Sequence, residues 1–131
     1  MKNKSFKDIL GLQVVKVQLV CRLQIGNNDE PIHYGVIVST KDNQEKYLLH
    51  NGYKYGKDQD FILTSIKDIS NDWEIQQNYL LQIPIKIQEL FQAGCCGQNM
   101  RYHPQNNNSK HASDRIITRV KDFINSKQNI G

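Results

Sequence analysis

An α+β fold, with an antiparallel sheet packed against helices, is the class this sequence predicts. Three patterns point to it. Residues 13–25 alternate apolar and polar side chains. Short runs rich in β-branched and apolar residues follow at 32–39, 46–50 and 61–65, with turn-forming residues between the first of them. From Ala112 to Ile124 the apolar residues recur instead at spacings of three and four. The first two patterns have the period of half-buried strands, and the third has that of a helix lying on them.

Ser5 is placed to cap one short helical turn, Phe6 to Leu10, which Gly11 ends. In the strand that follows, Val15, Val17, Leu19, Cys21, Leu23 and Ile25 share one face. Lys16, Gln18, Arg22 and Gln24 share the other, with Val20 the exception. Gly26-Asn27-Asn28-Asp29 then turns the chain. Ile32 to Ser39 runs back, Lys41-Asp42-Asn43 turns again, and Lys46 to His50 returns. A tight turn centred on residues 41 and 42 sets His33 opposite His50, on one face of the sheet. Phe61 to Ser65 adds a further strand. Pro84 is suited to open a helix through Ile87, Leu90 and Phe91, which Gly94 closes. In the final helix Ala112, Ile116, Val120, Phe123 and Ile124 make the inner stripe, while Arg115, Arg119, Lys121 and Asp122 face away.

At 131 residues the chain reads as a single domain, with polar, basic tails at 1–7 and 127–131. It has no apolar run near the roughly 20 residues that a membrane span requires, so no span is expected. No apolar stretch follows the basic residues 1–7, so a secretory leader is not expected either. The cysteines are Cys21, Cys95 and Cys96, an odd number with two adjacent. That excludes a disulfide framework and points to a reducing compartment, the cytoplasm. Asn and Gln are abundant at 26 residues but scattered, so they form no low-complexity tract.

The net charge of +4 is unevenly spread. Residues 1–7 carry three lysines and no acid; residues 8–100 carry eight basic and eleven acidic side chains; residues 101–131 carry six basic against two acidic. The basic residues have no aromatic interleaving and no recognition motif, so nucleic acid is not the expected partner. A protein partner with an acidic surface is, met by Lys110, Arg115, Arg119, Lys121 and Lys127 on or beside the last helix.

Three positions could carry chemistry: His33, His50 and Ser109, the last just before the final helix. A hydroxyl or thiol at a helix N-terminus feels the positive end of the helix dipole. An imidazole on a facing sheet can take its proton, and a second polar group can orient that imidazole. Each residue also has a plainer role. His33 can be an ordinary strand residue, His50 precedes the turn-forming Asn51-Gly52, and Ser109 can be a helix cap worth about 1 kcal/mol. Cys95 and Cys96 have no base at matched spacing. His33, His50, His103, His111 and the cysteines lack the paired spacing of metal ligands, so neither a metal nor a cofactor is expected. Trp73 reads as a packing anchor.

Taken in order, these pieces resemble the circularly permuted papain-like superfamily, especially its lecithin:retinol acyltransferase-like and NlpC-type domains. His33-Tyr34-Gly35-Val36-Ile37 resembles the strand that brings the family's first histidine, and Tyr47-Leu48-Leu49-His50 the strand that brings the second. Asn108-Ser109-Lys110-His111 resembles the Asn-Cys-Glu-His motif at the nucleophile, with Tyr102 and Asn107 matching its lead-in. The resemblance covers roughly residues 30–125. It implies His33 as general base, His50 as its polar partner and position 109 as nucleophile. Two departures matter: Ser109 stands where the family has cysteine, and Lys110 where it has an acid. A serine hydroxyl is far harder to ionise than a thiol and needs a tuned base and an oxyanion hole. The expectation is therefore a catalytically inactive papain-like domain with a vestigial triad. It would serve as a structural or interaction subunit of a larger assembly, of cytoskeletal or ciliary type. The alternative is an acyltransferase or peptidase-like hydrolase with a Cys/Ser-His-His site, seen here as a Cys-to-Ser variant or working through the serine itself.

Overall fold

The computed structural model describes residues 5–23, 31–41, 45–51, 61–65, 73–95 and 109–128. For residues 22, 23, 31–33, 51, 61, 62, 64, 95, 109, 110, 127 and 128 only the backbone is described. The elements run α1 (Phe6–Leu10), β1 (Gln13–Leu23), β2 (Pro31–Thr40), β3 (Lys46–Asn51), β4 (Phe61–Ser65), β5 (Trp73–Lys86), α2 (Ile87–Cys95) and α3 (Ser109–Gln128). The fold is α+β. Among the described residues its sheet has five antiparallel strands in the order β4-β3-β2-β1-β5, a four-strand meander to whose first strand β5 adds.

Local chemistry explains the ends of α1. The Ser5 hydroxyl accepts the Asp8 amide at 3.1 Å, and the Gly11 amide closes the turn on the Asp8 carbonyl at 3.2 Å. Phe6 then stands edge-on to Phe91 of α2, with ring centroids 5.4 Å apart. The Ile87 amide reaches back to the Leu12 carbonyl at 3.0 Å and ties the start of α2 to the end of α1.

Strand alternation splits the sheet into two faces. On the helix face, Val17, Val36, Val38, Tyr47, Leu49 and Leu81 pack in one buried cluster with Ile87 and Leu90 of α2 and Ala112, Ile116, Ile117 and Val120 of α3. On the far face, Val20, Ile37 and Leu48 form a second cluster on which Trp73 packs. In β1, Val17, Leu19 and Cys21 fall on one face as the sequence predicts, but a bulge at Val15 puts Val14 rather than Val15 into the core.

Two expectations about the elements are corrected. Pro84 does not open a helix. Ile85 and Lys86 pair with Val14 and Gln13, so the chain stays extended through Pro84 and α2 begins at Ile87. An edge strand tolerates this proline because only one side of it must supply ladder hydrogen bonds. β5 itself was not predicted. Arg115 and Arg119 do not face away into solvent either. They lie four residues apart on the flank of α3 that meets α2. The Arg115 guanidinium donates to the carbonyls of Ala93 and Gly94 at the end of α2, and Arg119 pairs with Glu89 at 2.6 Å.

Candidate functional site

The β2–β3 hairpin decides where the histidines go. The Thr40 amide donates to the Glu45 carbonyl at 2.8 Å, and the Glu45 amide to the Thr40 hydroxyl at 3.0 Å, so the connection spans residues 41–44. That loop is longer than a tight turn at 41 and 42, and the register moves with it. His50 stands opposite Gly35, not His33. Position 33 lies two residues further along β2, opposite Arg22 of β1. It keeps the register parity of Gly35; its side chain lies outside the described residues.

His50 belongs to the far face. It follows Leu49, which is fully buried against the helices, and alternation turns it to the other side. Its ring stands edge-on to Trp73, with centroids 6.0 Å apart. Two strands, β2 and β1, separate β3 from β5, and three steps in a flat sheet would put the two backbones about 14 Å apart. The contact therefore requires the sheet to coil toward its far face and both side chains to lean inward. Gly35 lies opposite His50 on β2. A β-carbon there would come within 2.7 Å of Leu48 Cδ1 and 3.3 Å of the His50 β-carbon, so these two side chains occupy the space a larger residue would need.

Position 109 is the first residue of α3, as expected from its place before the final helix, with its side chain outside the described residues. α3, however, packs on the helix face. The sheet thus lies between the packed face of α3 and the His50 ring. The expectation that His50 and the start of α3 face one another is corrected by this geometry: the hairpin's parity sends His50 away from the helices. Of the other basic positions, Lys121 is exposed, Arg115 and Arg119 are engaged with α2, and the side chains of Lys110 and Lys127 are outside the described residues, as is His103.

Two groups on the helix face have shifted acidities. Burial pushes the Tyr47 hydroxyl up to about 12, and its hydrogen bond to the Glu45 carboxylate adds to the effect. Burial also raises the Cys21 thiol. Glu74, directly opposite on β5, raises it further, while the Gln76 amide, 3.1 Å from Sγ, opposes the shift. Both groups are held neutral at physiological pH, the reverse of what a nucleophile needs. Among the described residues no three histidine, cysteine, aspartate or glutamate side chains gather as metal ligands, and no helix is long and apolar enough to cross a membrane. No family model, no curated protein and no solved structure matches the chain.

Proposed function

We propose that the protein is a non-catalytic interaction subunit that binds a protein partner with an acidic surface. One observation carries the first half: the sheet lies between His50 and the helix that begins at Ser109. In the expected triad His50 orients the general base beside the nucleophile; here its ring contacts Trp73 on the far face instead. In this reading the papain-like order of motifs reflects ancestry, and Ser109 serves as the start of α3. The partner is read from charge, a surplus of basic side chains in a chain of net +4. The setting we propose is a cytoplasmic assembly of cytoskeletal or ciliary type.

The rival reading, a hydrolase or acyltransferase acting through Ser109, makes an opposite forecast. Purified full chain is expected to turn over no thioester, ester or peptide substrate, and a fluorophosphonate probe should leave Ser109 unlabelled. Turnover that disappears in Ser109→Ala, together with labelling at that serine, would overturn the proposal.

A further inference from the structure

The large apolar side chains that the described residues leave exposed are concentrated on one strand. Ile75 is 54% exposed, Leu80 76% and Ile83 48%, all on β5. The other such residue, Phe6, rests its ring on Phe91. β5 is an edge strand: among the described residues it pairs with β1 alone. An edge strand presents a row of backbone donors and acceptors to any extended chain, and proteins usually blunt it with charge or proline. On β5 the proline, Pro84, comes only after the regular stretch, and the one charged residue of that stretch is Glu74.

Charge on the neighbouring face is of one sign. Register places Lys16 directly opposite Leu80 and puts Lys46 across from Ser39 on the same far face. The described carboxylates lie elsewhere. Glu45 accepts from Tyr47 on the helix face, and Glu74 shares that face with Cys21. Asp8, Glu89, Asp114 and Asp122 are on the helices.

We propose that the outer edge of β5 takes an extended, acidic segment of a partner protein as a sixth strand of the sheet. Its apolar side chains would cover Ile75 and Leu80, and its carboxylates would meet Lys16. Main-chain hydrogen bonds supply affinity in such strand addition, and alternate side chains supply selectivity. A second copy of this chain fits less well. Antiparallel self-pairing of β5 keeps each face continuous with its own kind, so the partner's Glu74 would stay on the helix face and could not reach Lys16. The inference rests on the interaction-subunit reading and assigns it a surface.

The test uses the full chain and two fluorescent peptides, one repeating Thr-Val-Thr-Glu, the other Thr-Val-Thr-Lys, so that valine and the charged residue share one face of the added strand, followed by fluorescence anisotropy at physiological salt. The glutamate peptide is expected to bind and to protect β5 amides from hydrogen exchange, while the lysine peptide does not. Leu80→Asp and Lys16→Glu should each weaken binding about tenfold or more. Leu80 is so exposed that its variant should melt as wild type does, which separates loss of binding from loss of fold. Equal binding of both peptides, binding of neither, or full affinity in Leu80→Asp would overturn the proposal. So would a dimer seen by light scattering that Leu80→Asp dissolves, since the edge would then belong to a second copy. None of these outcomes bears on Ser109, whose labelling and turnover decide the catalytic question separately.

Discussion

The helix face of the sheet and its far face share the same strands, yet they are finished by different means. The helix face is covered from outside: Ile87, Leu90, Ala112, Ile116 and Val120 enter a continuous apolar cluster with Val36, Val38 and Leu49. The far face closes partly on itself, through a coiled sheet that lets Trp73 of β5 reach His50 of β3. Adjacent residues therefore have unrelated surroundings. Leu49 is core to the helices, while His50 is a ring partner of Trp73. In an antiparallel sheet, parity rather than sequence proximity decides which groups can act together. Two substitutions, one on each face, sharpen the contrast, and a set of charge changes on α2 and α3 refines it.

The largest effect is expected on the helix face. Ile116 is fully buried between α3 and the sheet. Ile116→Ala should cost about 3 kcal/mol, the lost transfer energy plus the cavity left in a packed site. Urea denaturation reads it directly. A loss well under 1 kcal/mol would mean that α3 is loosely docked and that the two faces differ less than the packing indicates.

Overpacking on the far face comes next. Gly35→Ala pushes a methyl to 2.7 Å from Leu48 Cδ1 and 3.3 Å from the His50 β-carbon. Leu48 is itself buried in the second cluster, so its shift is resisted, and the substitution should cost about 1–2 kcal/mol. Tryptophan fluorescence adds a local readout, because Trp73 is the chain's one tryptophan and packs on that cluster. An emission spectrum and melting curve both identical to wild type would show that the far face has room to spare.

Much of the fold was legible because its periods are strong. The Ser5 cap and Gly11 stop, the alternation through Val17, Leu19 and Cys21, and the three-and-four spacing from Ala112 to Val120 are local signals that the tertiary structure leaves intact. β5 was illegible for a physical reason. Most of its residues from Glu74 to Leu80 are exposed on either face, and an irregular register beside Gln76 breaks whatever alternation is left. The hairpin register depended on a loop of four residues rather than two, which composition does not specify. For the candidate site, the order of His33, His50 and Ser109 along the chain was readable. The side of the sheet that α3 would cover was not, since that is settled by where the apolar stripes of two helices find a common surface. The same holds for Arg115 and Arg119: a helical wheel shows them opposite part of the apolar stripe, but only the docking of α2 shows what they touch.

The smallest effect concerns those arginines, and it separates a basic docking face from an internal clamp. Arg119 and Glu89 meet at 2.6 Å with side chains 39% and 42% exposed. Water screens such a pair, so a double-mutant cycle of Glu89→Gln and Arg119→Gln should give a coupling of about 0.5 kcal/mol that shrinks as salt is raised. Arg115 differs in kind, because it donates to the Ala93 and Gly94 carbonyls, backbone groups at the end of α2 that would otherwise lack helical partners. Reversing Arg115 and Arg119 to glutamate should therefore lower the melting temperature by loosening α2 from α3, whereas Lys121→Glu, at an exposed position, should leave it unchanged. If the double reversal melts with wild type, the two arginines hold nothing together. They would then be available to an acidic partner after all, and the outer surface of α3 would compete with the edge of β5 as the binding surface.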